Sequence, residues 1–170
     1  ENIVVKNCQL GAQPTGITCK VQEVNKLSFI NNQVYPDGRE NLVLDACNNC
    51  VIEGNNFKSY YNGILVLNGN DNTVNKNIFW LTGAVQNQLL DHGDDFGIIN
   101  VKGNNNMVAS NSLSCEWAYA GAVTVNAVQG TGNVFKNCFV DNLESYRVFL
   151  VNAQTEVSNC VSSDKVSIVE

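Results

Sequence analysis

The chain has 170 residues, of which 15% are charged, and its net charge is −6. This length suits one domain with a buried core, and the charged fraction lies well below the roughly 25% of an average domain. A pI near 4.7 argues against binding to a phosphate backbone. No apolar window approaches the roughly 18 residues of a membrane span. We therefore expect neither a nucleic acid nor a membrane as partner.

The chain begins with Glu1 rather than methionine, and residues 2–5 already have the pattern of a strand. This start predicts a fragment or truncated form of a longer protein, folded as a single domain over residues 1–170. The chain contains seven cysteines, an odd number, so at least one thiol is unpaired within the chain. This count does not indicate a disulfide framework, and it leaves the cellular compartment open.

An asparagine-centred phrase recurs along the chain: an apolar residue, two further residues, Asn, one residue, and a second apolar residue. Ile52–Phe57 is a clear copy. Successive key asparagines are 22 to 26 residues apart, except for one interval of 34. A second apolar run ending in a Gly/Asn turn lies between the phrases, as at residues 63–69 and 96–104. The predicted key asparagines are Asn7, Asn32, Asn55, Asn77, Asn111, Asn137 and Asn159.

Short strands at this period, without a 3.6-residue pattern, predict an all-β right-handed parallel β-helix of about seven coils. Stacked coils place equivalent residues about 4.8 Å apart, so the recurring asparagines are expected to form a hydrogen-bonded Asn ladder. An asparagine can also adopt the left-handed backbone angles that a corner requires. The alternative is an Asn-rich β-sandwich in which the spacing arises by chance.

The 34-residue interval between Asn77 and Asn111 predicts an insertion loop at about residues 80–95. Solenoids accept insertions as loops, and loops often carry function. Asp91, His92, Asp94 and Asp95 lie at the end of this loop. The three carboxylates could raise one another's pKa for general acid catalysis on a glycosidic bond, or hold Ca²⁺ through oxygen ligands. They could equally form a solvated acidic turn.

Aromatic residues follow several of the asparagine phrases. Tyr60 and Trp80 follow two of them, and Glu116 and Trp117 follow a third. Aromatic rings beside carboxylates suit stacking against sugar rings. Packing of the insertion or a subunit interface would explain the same residues.

Cys47 and Cys50 form a lone C-x-x-C, without the second pair that a structural zinc site requires. Cys8, Cys138 and Cys160 each directly follow a key asparagine, which indicates a recurrent small packing residue. We interpret all seven cysteines as structural and predict no metal site.

Five stretches in the middle of the chain form a further pattern: Tyr35–Leu42, Cys47–Phe57, Leu67–Gly69, Asn77–Phe79 and Asp94–Asn111. Read in this order, they resemble the C-terminal coils of inulin fructotransferases, which form glycoside hydrolase family 91 with the difructose-anhydride hydrolases. The resemblance covers about half of the chain, and the acidic insertion falls in the same place.

This resemblance implies a trimeric right-handed parallel β-helix with active sites between subunits. It implies cleavage of the terminal difructose unit of a fructan by intramolecular fructosyl transfer, with no metal or organic cofactor. The catalytic carboxylates of the family correspond to about Thr15–Asn25, where Glu23 is the one carboxylate here. Thr15 stands where an Asp is expected.

Three hypotheses follow from the sequence. The first is a carbohydrate-active β-helix, which if catalytic is a fructan lyase or fructotransferase-like enzyme, and otherwise binds glycans. The second is a non-catalytic structural or assembly module. The third is a polyuronate lyase, disfavoured because Lys and Arg are sparse. For the first hypothesis the catalytic candidates are Glu23, Asp91, Asp94, Asp95 and Glu116, and the candidates for lining the sugar are Arg39, Tyr60, Trp80 and Trp117.

Overall fold

The structure is a computed structural model that describes residues 2–11, 16–35, 40–60, 63–82, 95–115, 123–141, 147–162 and 166–169. Within these ranges the regular secondary structure consists of twenty short β-strands in three parallel sheets. No helix in these ranges is long and apolar enough to cross a membrane.

Up to β18 each sheet contains every third strand of the chain, as expected when the chain winds through three faces in turn, and β20 then follows β18 in the third sheet. The first sheet is formed by β1 (Ile3–Lys6), β4 (Leu27–Ile30), β7 (Val51–Glu53), β10 (Thr73–Asn75), β13 (Met107–Ala109), β16 (Val134–Lys136) and β19 (Glu156–Ser158). The second sheet is formed by β2 (Gln9–Leu10), β5 (Gln33–Val34), β8 (Asn56–Ser59), β11 (Ile78–Leu81), β14 (Ser112–Cys115) and β17 (Phe139–Asp141). The third sheet is formed by β3 (Cys19–Gln22), β6 (Leu42–Asp45), β9 (Leu65–Asn68), β12 (Ile99–Val101), β15 (Val123–Ala127), β18 (Arg147–Asn152) and β20 (Val166–Val169).

The predicted parallel β-helix is therefore confirmed. Among the described residues there are six complete coils and a seventh with strands in two sheets only, close to the predicted number. Trp80 and Leu81 lie in β11, paired with Lys58 and Ser59, so these two residues belong to a strand rather than to the insertion.

Alternating side chains of each strand fill the interior. Phe57 and Phe79 occupy equivalent positions in consecutive coils, and their rings stack with centroids 5.0 Å apart. Phe29 lies 6.2 Å from Phe57 on the other side. Burying one such side chain contributes about 1.5–3 kcal/mol, so the repeat of buried apolar residues stabilises the stack.

A column of buried asparagines runs along the corner between the first and second sheets. The column consists of Asn32, Asn55, Asn77 and Asn111. Each of the first three donates hydrogen bonds from its backbone N–H and its side-chain Nδ2 to Oδ1 of the asparagine in the next coil. Each Nδ2 also donates to a backbone carbonyl, as from Asn55 to Phe29 O at 2.8 Å. The amides thus satisfy backbone groups that would be costly to bury unpaired.

Three of the predicted ladder positions are wrong by one residue. Asn7, Asn137 and Asn159 have φ of 55°, 53° and 52°, and they occupy the left-handed corner position instead. Cys8 and Cys138 follow in the ladder position, where Cys8 N donates to Asn32 Oδ1 and Cys138 N donates to Cys160 Sγ. Asparagine suits both the left-handed position and the ladder position, so the repeat alone does not reveal the phase.

A second buried column lies at the corner between the third and first sheets, where Asn72, Asn106 and Asn133 hydrogen-bond in series. Gly69 and Gly103 stack on this corner, and a Cβ on Gly103 would overlap the carbonyl of Gly69. The Gly/Asn turns predicted from the sequence therefore allow close contact between successive backbones.

Candidate functional site

The three corners of the solenoid differ in length. In the six complete coils two residues connect the first sheet to the second, and three to six residues connect the third sheet to the next coil. The connections from the second sheet to the third have five to eight residues, and the one between β11 and β12 has 17. Because the strands that flank them are stacked in register, these longer connections begin and end along one side of the molecule. We call this the long-connection side.

Most candidate residues fall on segments of the long-connection side. Tyr60 and Asp95 belong to connections of the third and fourth coils and are described. Arg39, Asp91, Asp94, Glu116 and Trp117 lie outside the described residues, as do His92 and Thr15.

Asp95 is held against the outer face of the third sheet. Its Oδ1 accepts from Nη1 of Arg147 at 2.7 Å, and its backbone carbonyl accepts from Nδ2 of Asn126 at 2.7 Å. The side chains of Asp95 and Arg147 are 57% and 33% exposed, so the ion pair is accessible to solvent. The bidentate-capable guanidinium holds this carboxylate in one position, where it can accept a proton or stabilise positive charge that develops in a reaction.

A small cavity of about 150 Å³ adjoins Asp95. Its floor is fixed by Asn100, whose side chain accepts from Gly97 N and donates to Gly97 O at 2.9 and 2.8 Å. Lys102, Asn126 and Gln129 also line the cavity. These side chains offer hydrogen-bond donors and acceptors suited to a polar ligand.

Glu23 lies at a different corner from Asp95. It is exposed, has φ of 54°, and belongs to the connection between β3 and β4. Strand β3 is three positions from β12 in the third sheet, which separates the two residues by about 14 Å along the axis alone. Within one chain, Glu23 and Asp95 are therefore too far apart for a two-carboxylate glycosidase site, which needs about 5–9.5 Å.

A cleft of about 250 Å³ lies on the outer face of the second sheet. Trp80 is half-buried beside it, and Nζ of Lys58 lies 4.3 Å from the centroid of the indole ring. Tyr35, 41% exposed, also lines the cleft. Tyr60 is 46% exposed and follows β8, next to this face. Tyr60 thus follows the strand that pairs with the strand of Trp80, two residues beyond Lys58, the residue that pairs with Trp80.

The sequence interpretation did not include Tyr35, Lys58 or Arg147 among the functional candidates that it derived from the residues. Arg147 is 52 residues from its partner Asp95. Writing the coils under one another could have placed Lys58 beside Trp80, because both follow the asparagine phrase at the same distance. Among the described residues, no group of three or more His, Cys, Asp and Glu side chains could hold a metal ion.

The sequence matches the family described as "Right handed beta helix region" over residues 15–168. The chain therefore belongs to the right-handed β-helix family. No curated protein matches the sequence significantly.

The fold is similar to solved structures of DFA-IIIase from Arthrobacter chlorophenolicus A6. The structure in complex with GF2 has a TM-score of 0.79 at 21% identity, and the structure without its lid has 0.82 at 22%. Mutant C387A in complex with DFA-III has a TM-score of 0.78 at 20% identity. The match covers 98% of this chain but 44–47% of those chains, so this chain spans less than half of their length.

Proposed function

We propose that this protein is a carbohydrate-active β-helix that holds an oligosaccharide on the long-connection side. The observation that carries the proposal is the position of the Tyr35–Lys58–Trp80 cleft. One of its strands, β11, leads directly into the 17-residue connection that contains Asp91, Asp94 and Asp95. Aromatic rings next to amides and carboxylates are suited to the apolar faces and hydroxyl edges of sugars.

The finer proposal is cleavage of a fructan by intramolecular fructosyl transfer to a difructose dianhydride. It is supported by the sequence resemblance to inulin fructotransferases and by the similarity in fold to DFA-IIIases. In this reaction a carboxylic acid protonates the departing glycosidic oxygen, and a hydroxyl of the neighbouring fructose closes the second ring.

Asp95, held in place by Arg147, takes the role of the carboxylate that accepts a proton or stabilises charge in this proposal. The proton donor is then one of the other acidic candidates, Asp91, Asp94 or Glu116, or Glu23 from another subunit. A trimer with sites between subunits would allow residues from different corners to meet. The separation of Glu23 and Asp95 within one chain is compatible with that arrangement.

Glycan binding without cleavage is the second candidate function. It is favoured by the same separation, because a single chain does not bring these two described carboxylates within reach of one glycosidic bond. The two candidates differ in product formation rather than in affinity for the glycan.

Incubation of the purified protein with inulin and levan, with products separated by chromatography, tests the proposal. We expect a difructose dianhydride, reduced at least tenfold by Asp95→Asn and by Glu23→Gln. The matched control is Asp71→Asn, which removes an exposed carboxylate in the turn between β9 and β10, away from the long-connection side. Binding without product would favour the second candidate, and neither binding nor product would contradict both.

A further inference from the structure

Two columns of side chains line the outer face of the second sheet in register. Tyr35, Lys58 and Trp80 are consecutive members of one column, and Gln33 and Asn56 of the other. Neighbouring members of a column are about 4.8 Å apart, and the two columns are about 7 Å apart along the strands. This arrangement produces a shallow cleft lined by three neighbouring strands and by Tyr35, the residue directly after β5.

The walls of the cleft combine two kinds of chemistry. Tyr35 and Trp80 supply aromatic surface, while the amides of Gln33 and Asn56 each supply a donor and an acceptor. The lining contains one charged group among its described residues, Lys58, whose ammonium already interacts with the Trp80 ring. That cation–π contact holds the lysine in place and leaves its remaining N–H groups as directed donors.

These features fit a neutral polyhydroxylated ring. A sugar ring presents C–H groups that pack on an aromatic face, and vicinal hydroxyls that both donate and accept hydrogen bonds. An anionic ligand would call for cations not already engaged with an aromatic ring. The volume of about 250 Å³ lies below the roughly 300–1,000 Å³ of sites for drug-sized ligands, so it suits one ring.

We propose that the Gln33–Tyr35–Asn56–Lys58–Trp80 cleft is a glycan-anchoring site that binds one neutral sugar unit of an oligosaccharide, separate from the carboxylates that would cleave it. The carbohydrate class rests on the proposed function, but cleavage does not enter the inference. The cleft ends at Trp80, and the 17-residue connection that contains Asp95 begins directly after Leu81, the last residue of the same strand. An anchored oligosaccharide could therefore extend towards the start of that connection.

The intrinsic fluorescence of Trp80 gives a direct test, because the chain has two tryptophans, Trp80 and Trp117. We expect inulin-type fructo-oligosaccharides to change the emission in a saturable way. The change should persist in Trp117→Phe and disappear in Trp80→Phe. Calorimetric titration should show at least tenfold weaker binding for Tyr35→Ala and for Asn56→Ala.

The matched control is Phe139→Ala, an exposed aromatic residue on the same face and three strands from Asn56. It should bind the oligosaccharide like the wild type. Wild-type affinity in both Tyr35→Ala and Asn56→Ala would overturn the inference. If these two variants still formed product, the proposed function would survive without the cleft. Binding only to an oligouronate, with dependence on Lys58, would also overturn the inference. The inference would also be overturned if Tyr35→Ala lost self-association but kept its affinity for the sugar, because the cleft would then be an interface between copies of this chain.

Discussion

Asp95 and Arg147 form an ion pair across two coils of the solenoid, with 2.7 Å between Oδ1 and Nη1. Arg147 is the first residue of β18, and Asp95 lies just before β12, two strands away in the same sheet. Both groups remain partly exposed, and such pairs contribute about 1 kcal/mol or less to stability. The pair therefore fixes the position of Asp95 more than it stabilises the fold.

Replacement of Arg147 should affect function more than stability. For Arg147→Gln we expect the free energy of unfolding to change by less than about 1 kcal/mol. Product formation should fall about tenfold, because the carboxylate loses the cation that holds it. Urea denaturation and product chromatography measure the two effects. Lys76→Gln is the matched control, since it breaks the exposed Lys76–Glu53 pair of the first sheet, where N and O are 3.3 Å apart. Equal loss of activity in both variants would contradict a local role for Arg147.

Loss of a ladder amide should destabilise the whole stack. Asn77→Ala removes the acceptor for Asn55 N and Nδ2, and the donor to Ile52 O. Each buried group left unpaired costs about 1–3 kcal/mol, so we expect a total loss of about 3 kcal/mol or more. Denaturant titration provides the measurement. Asn68→Ala removes a single exposed hydrogen bond to Asp45 and should cost less than about 1 kcal/mol. Similar losses for the two variants would argue against the buried ladder as a main source of stability.

The stacked glycines provide a steric test of coil spacing. In Gly103→Ala the new Cβ would overlap the backbone carbonyl of Gly69, which cannot move without displacing a coil. We expect destabilisation at the upper end of single substitutions, about 3 kcal/mol or more, or failure to fold. At Gly11 no atom lies within 4 Å of the corresponding position, so Gly11→Ala should be close to neutral. Thermal melts of both variants check the prediction, and a neutral Gly103→Ala would contradict the close stacking.

The Cys160 thiol should be more acidic than those of Cys19, Cys50 and Cys138, whose pKa values are raised. A hydrogen bond from the Cys138 side chain lowers the pKa of Cys160 from 9.0 to about 7, and the same contact raises the pKa of Cys138. The thiolate of Cys160 should therefore form as the pH rises through about 7, and its alkylation rate should rise over the same range.

Iodoacetamide labelling followed by peptide mass spectrometry measures this profile. In Cys138→Ala the midpoint should move upwards towards 9, because the donating thiol is gone. An unchanged midpoint would mean that Cys138 does not stabilise the thiolate.

The fold was predictable because the pattern repeats. Each copy of the asparagine phrase combines apolar positions that must be buried with a polar corner residue, and few architectures satisfy both in every copy. The phase of the ladder was not predictable at Asn7, Asn137 and Asn159. Asparagine is suited both to the left-handed corner and to the ladder, and only the pairing between coils separates the two roles.

The site was predictable only in part. The long interval between Asn77 and Asn111 indicated where the connection lengthens, and the structure places that connection between β11 and β12. The partners of the candidates were not visible in the sequence. Lys58 meets Trp80 from 22 positions away, and Arg147 meets Asp95 from 52.

The sequence by itself determined the β-helix, because buried apolar and asparagine positions recur once per coil and local chemistry at each turn is enough to specify it. Only the tertiary structure decided which polar side chains meet. Stacking turns a separation of one or two coils into direct contact, as for Asp95 and Arg147. It places Glu23 at another corner, although its side chain is a carboxylate like that of Asp95. A contact of this kind depends on the register between coils, and register arises only when all the coils pack together.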